Sequence, residues 1–174
     1  LIEARAFGDT RGYFMESWQA ERYAKAGING PFVQDNLSLS SQHTLRGLHL
    51  QHPHGQGKLV QVLLGEVFDV AVDVRRGSPT FGRWVGERLS ADNHMQLYVP
   101  PGFAHGFWVL SDKALFAYKC TELYDAPSEF SVCWNDPDLG INWPDGTPQL
   151  SEKDTQAPRL RDIPTESLPP YTEA

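Results

Sequence analysis

The chain has 174 residues, enough for one hydrophobic core and too few for two comfortable ones. With 21% charged and 40% hydrophobic residues, it is composed as a folded globular protein and not as a disordered one. A net charge of -7 excludes the broad basic face that nucleic-acid binding needs, and no apolar run approaches membrane-spanning length.

The chain opens on Leu1 with no signal-peptide pattern, which implies a trimmed N-terminus with room for a short leading strand. The single convincing helix is a turn through Trp18, Tyr23 and Ala24, with Ser17 placed to cap it and Gly27 to stop it. Further on, His49 alternates with Gly47 and Gln51, so those three share one side of an extended segment. Lys58–Leu64 is a short buried-strand run, punctuated by Gly65 and Glu66. Residues 67–74 then alternate, with Phe68, Val70, Val72 and Val74 on one face and Asp69, Ala71 and Asp73 on the other. More strands are expected over 96–99, 106–110, 115–120 and 131–134, separated by Gly- and Pro-rich turns. The stretch 159–174 reads as a wrapping C-terminal tail on a single domain spanning 1–174. Many short strands with turn chemistry between them predict an all-β fold, a double-stranded jelly roll with a few short helices. Cys120 and Cys133 both lie in apolar runs, which predicts buried, reduced thiols in a cytoplasmic protein.

Chemistry concentrates in one place. Arg46, His49, His52, His54 and Lys58 fall within thirteen residues, and His105 sits in a later Pro/Gly turn. So many cations beside ionisable imidazoles lower stability unless an anion offsets them, which points to an anionic ligand that must lose a proton. Arg11, Arg46, Lys58 and Lys153 are the candidates for holding a small phosphorylated group. His52, His54 and Gly65, with the later Pro101, Gly102 and His105, resemble the two-part cupin motif. Where metal-binding cupins carry a carboxylate, this chain has Lys58, which repels a cation and has no lone pair when protonated. The expectation is therefore a cupin-like scaffold without its metal.

Proton chemistry fits better. Histidine is the natural base near neutral pH, and His49 needs a carboxylate to fix its tautomer; Asp69, Asp73 and Asp154 are the open choices. Tyr118 alternates with Phe116 and Cys120 on a strand. If it faces the same cavity as His49, it supplies an acid on the opposite side of a substrate carbon. That arrangement is what inversion requires, and Lys58 would stabilise the enolate oxygen formed in between.

Several blocks then carry a resemblance. They are the run 46–51 (RGLHLQ), 56–60 (QGKLV), 69–75 (DVAVDVR), 78–82 (SPTFG), 101–107 (PGFAHGF), 134–136 (WND) and Leu150-Ser151-x-Lys153-Asp154. With Gly8-Asp9-x-Arg11-Gly12 before them and Ala157-Pro158 after, the chain resembles the dTDP-4-dehydrorhamnose 3,5-epimerase family over nearly its whole length. The resemblance implies a homodimeric jelly-roll enzyme that inverts carbons 3 and 5 of a dTDP-4-keto-6-deoxyhexose, with no metal and no other cofactor. It implies that His49 is the base, Asp154 its carboxylate, Tyr118 the proton donor and Lys58 the lysine at the keto oxygen. It adds Arg11, Glu16, Gln34, Asp35, Asn36, Arg46, His105, Glu129 and Lys153 as substrate contacts, with Tyr124 as the residue stacking on the base. His52, His54 and His94 have no implied role and read as structural. A single-position epimerase is the near alternative; a sugar-binding module or a metal-dependent cupin is the distant one.

Overall fold

The strand Glu66–Asp73 is buried on both faces, and that double burial sets the architecture. The computed structural model describes residues 1–173. In chain order its strands are β1 (Ile2–Glu3), β2 (Ala6–Asp9), β3 (Gly12–Met15), β4 (Gln34–Ser41), β5 (Leu45–Gln51) and β6 (Lys58–Leu64). They continue as β7 (Glu66–Asp73), β8 (Trp84–Ser90), β9 (Met95–Val99), β10 (Phe103–Val109), β11 (Lys113–Cys120) and β12 (Glu129–Ser131). Among the described residues the α-helices are α1 (Ala20–Lys25) and α2 (Glu152–Thr155), each only a turn or so long.

Two five-stranded sheets face each other, ordered β1-β9-β6-β11-β4 and β12-β5-β10-β7-β8, while β2 and β3 form a separate hairpin. The pairings are antiparallel throughout both sheets, as a jelly roll requires. Between the sheets lies a core that includes Val60, Val62, Val67, Ala71, Phe107 and Phe116. The even-numbered residues of β7 point the other way. Val70 and Val72 join Leu48 and Leu50 against Leu160, Ile163 and Leu168 of the C-terminal segment. Each such side chain contributes roughly 1.5–3 kcal/mol over its exposed state, so that segment is part of the fold. A third cluster, of Tyr23, Ile28 and Leu59, seats α1 on the outer face of the first sheet.

Local chemistry moves some boundaries. The cap of α1 is Gln19, whose side chain accepts from the Arg22 amide, and not Ser17. The Ser17 carbonyl is taken by Gln96 Nε2 at 2.8 Å, a contact made from a distant strand. The last strand is Glu129–Ser131 and does not extend to 134, because the Cys133 amide bonds the Pro158 carbonyl instead of continuing the ladder. Of the two thiols, Cys120 is buried, while Cys133 is only partly so and donates to Asn135 Oδ1.

β4 inverts the usual pattern for a strand on a core. Leu37 and Leu39 face outward at 67% and 64% exposure, and the opposite row is Asn36, Ser38 and Ser40. The hairpin of β2 and β3 likewise exposes Phe7, Tyr13 and Phe14.

Candidate active site

The site begins with an irregularity in β5. Opposite His105 of β10 sits His49, but opposite Phe107 sits Arg46, so three residues of β5 span what two of β10 span. This is a bulge, and glycine permits it: Gly47 has φ +134, and a Cβ there would lie 2.5 Å from Gly106 Cα. A regular strand would put Arg46 and His49 on opposite faces. The bulge puts both into one cavity, so Arg46, and not Gly47, shares the face of His49.

That cavity, about 460 Å³, lies between the sheets. Arg46 and His49 enter it from β5, His105 and Phe107 from β10, Lys58 from β6, and Phe116 and Tyr118 from β11. A further wall is the stretch 149–154. Gln149 bonds the backbone of His43 and Leu45, which pins this stretch beside β5. Ser151 then caps α2 by accepting from the Asp154 amide at 3.1 Å, and the turn buries the Asp154 carboxylate.

Each of the three carboxylates considered for His49 has a different partner. Asp154 Oδ1 lies 2.5 Å from His49 Nε2. Asp69 holds His105, both oxygens at 3.0 Å from Nε2. Asp73 is buried away from the imidazoles and accepts from Arg75, Ser78 and Thr80 in the following turn. Burial alone would raise the Asp154 pKa, but the bonds from His49, Ser151 and the Gly47 amide hold it below the usual carboxylate range. It therefore stays ionised, fixes the Nε2–H tautomer of His49, and leaves Nδ1 with the lone pair that a base needs.

Across the cavity the balance is reversed. Burial is the main cause raising the Tyr118 pKa, with nearby Cys120 and Glu129 adding to it, so the phenol keeps its proton at neutral pH. The Lys58 ammonium is enclosed by protein although the residue is partly accessible through the cavity. This desolvation pushes its pKa down, against the pull of Cys120, Glu129 and Asp69. An apolar wall completes the enclosure, where Phe107 and Phe116 stack with centroids 4.1 Å apart.

A smaller pocket of about 290 Å³ shares His49, Lys58 and Tyr118 with the first. Gln34, Asn36, Tyr124 and Glu129 line it. Glu129 accepts from Lys153 and from the Tyr124 hydroxyl, so these three close the rim together. The remaining sequence candidates lie apart. Asp35 points to the other face of β4 and pairs with Lys119 at 2.9 Å. Arg11 is exposed in the hairpin and pairs with Asp9, and Glu16 pairs with Arg22 at 2.8 Å. None of these three lines either pocket.

The sequence reading missed Ser38, Phe107 and Phe116 as cavity residues, as well as the stretch 149–151. Alternation gives the signal for Phe107 and Phe116, since each lies two residues from a named site residue on its strand. The donor set does not suit a metal. His52 and His54 sit in a turn outside the cavity, Lys58 stands among the imidazoles, and among the described residues no three His, Cys, Asp or Glu side chains converge as ligands.

A carboxylate-oriented imidazole facing a protonated phenol, with a buried lysine between the sheets of a cupin-like jelly roll, defines an acid–base enzyme. Comparison with known proteins narrows the class. The model of the family described as dTDP-4-dehydrorhamnose 3,5-epimerase matches residues 1–162. A Pseudomonas aeruginosa protein of that name is 56% identical over 164 residues, covering 93% of this chain and 91% of its own. The crystal structure of a Legionella pneumophila dTDP-6-deoxy-D-glucose-3,5-epimerase in complex with dTDP-4-keto-L-rhamnose is 57% identical, with a TM-score of 0.96 over 98% of this chain and 92% of that one. A 3'-monoepimerase from Streptomyces bikiniensis, in complex with dTDP-quinovose, is 38% identical with a TM-score of 0.90 over 98% and 88%. The chain belongs to the dTDP-4-dehydrorhamnose 3,5-epimerase family and is an isomerase. No helix among the described residues is long and apolar enough to cross a membrane.

Proposed function

We propose that this chain, acting as one domain, converts dTDP-4-dehydro-6-deoxy-D-glucose to dTDP-4-dehydro-L-rhamnose by inverting carbons 3 and 5. The observation that carries this reading is the approach of His49 and Tyr118 to one cavity from opposite sheets. Both target carbons flank the carbon-4 ketone, so one base and one cation serve both inversions. His49 takes the proton from the carbon, and the electron pair moves onto the ketone oxygen as an enolate beside Lys58. Tyr118 then gives a proton to the opposite face, the ketone re-forms, and both residues recover their protonation states by exchange with water. Arg46, Lys153 and, from the rim, Gln34, Asn36 and Glu129 hold the nucleotide diphosphate and sugar. Asp69 keeps His105 oriented at the sugar, and Tyr124 stacks on the base.

The test is incubation with the keto sugar in heavy water, followed by proton NMR and mass spectrometry. Deuterium at both carbons with inverted stereochemistry is the expected result; no exchange by folded protein overturns the reading. The likeness to a 3'-monoepimerase favours one second reading, single inversion, and one deuterium would establish it.

The proposal extends to a cytoplasmic homodimer. The outward Leu37 and Leu39 and the apolar hairpin residues Phe7, Tyr13 and Phe14 give a second copy an apolar surface to cover. Such pairing also gives Arg11 and Glu16, which lie outside their own chain's cavity, a way to act at a partner's. Sedimentation at twice the chain mass is expected; a monomer at micromolar concentration would leave those two residues without a substrate role.

A further inference from the structure

We propose that Ser38 is a further substrate-positioning residue whose hydroxyl binds an oxygen of the hexose. The inference rests on the epimerase reading and names a contact of the same site. Three short polar side chains of β4, Asn36, Ser38 and Ser40, point toward the cavity side of the first sheet. Two of them already have partners within the protein. Asn36 accepts from Gln34 and donates to Cys120 Sγ, and Ser40 Oγ accepts from Arg46 Nε at 3.1 Å. Ser38, between them, is different: its Oγ is buried and has no hydrogen-bond partner among the described residues.

A buried hydroxyl without a partner costs stability, and alanine would fill the same space without that cost. The position is also a cavity wall, opposite Phe116 in register and two pairs along, on the same face, from Asn36 and Tyr118. It therefore sits beside the proposed proton donor and on the apolar shelf of Phe107 and Phe116. A pyranose suits that combination, since its C–H face lies on an aromatic ring while its oxygens need partners at the edge. A diphosphate does not, because an anion gains nothing from the negative face of an aromatic ring. A serine hydroxyl both donates and accepts, so it pairs with a sugar hydroxyl or with a carbonyl oxygen. Held there, the ring presents carbon to Tyr118 at a fixed height through both proton transfers.

The experiment compares Ser38→Ala with wild type by calorimetric titration of two probes, dTDP and dTDP-glucose, alongside melting temperature and steady-state kinetics. Removing one neutral hydrogen bond is expected to weaken dTDP-glucose roughly 3- to 10-fold and to raise KM for the keto sugar by a similar factor. Affinity for dTDP stays unchanged, and the melting temperature is unchanged or higher. Equal weakening of both probes, a lowered melting temperature, or no change in dTDP-glucose affinity overturns the assignment. Deuterium exchange by the wild type is measured in parallel. If wild type binds dTDP-glucose but exchanges nothing, the epimerase reading fails while the Ser38 comparison still stands; if it binds neither probe, both fail.

Discussion

His49→Ala is expected to lower turnover roughly 10⁴-fold, the upper end for loss of a positioned base. The reason for the upper end is that one imidazole serves both inversions, and the cavity's other imidazole, that of the buried His105, is engaged by both oxygens of Asp69. The fold should survive the change, because the Asp154 carboxylate keeps Ser151 and the Gly47 amide as partners. Stopped time courses with the keto sugar, together with a melting curve, check this. Turnover within tenfold of wild type would sink the mechanism, and a collapsed melting transition would show that His49 is holding the fold instead. Asp154→Asn provides the graded control: it keeps the shape, loses the charge that stabilises the imidazolium, and should cost less than removal of the base.

Lys58→Met should lower kcat roughly 10²- to 10³-fold, as for other preplaced groups that stabilise an oxyanion. KM should move far less. Burial disfavours the ammonium in the free enzyme, and a negative charge growing on the ketone oxygen relieves that penalty as the transition state forms. The same residue should therefore weaken the fold while it accelerates the reaction. Methionine fills similar volume without an enclosed charge, so the variant should melt at a higher temperature than wild type. Affinity lost at constant kcat would move Lys58 to the diphosphate.

How far these roles can be read from the chain differs by element. β6, β7 and β11 are legible because their apolar runs and alternation match strands buried on one or both faces. β4 escapes for the opposite reason: its leucines face outward and its serines inward, so hydrophobic alternation marks the wrong side. β5 is half legible. His49 stands out by its chemistry, but period two assigns it the company of Gly47, and only the bulge brings in Arg46. The cap of α1 is misplaced at Ser17 because a bond to Gln96, 79 residues away, decides what Ser17 does. The choice among Asp69, Asp73 and Asp154 is equally hidden from residue chemistry alone. All three are buried acids, and what separates them is which distant partner the two sheets bring near.

The bond between His49 and Asp154 spans 105 residues of sequence. Loop-closure entropy makes contacts of that separation late events in folding, after the local hairpins have formed. The strands that carry the imidazole and the other cavity walls, β5, β10 and β11, are synthesised before 149–154, so a growing chain has the imidazole before it has the carboxylate that aims it. Catalytic competence is thus tied to arrival of the C-terminal segment. That segment both covers the outer face of the second sheet and delivers Asp154, so a chain that fails to finish folding is left with a base lacking its orienting acid.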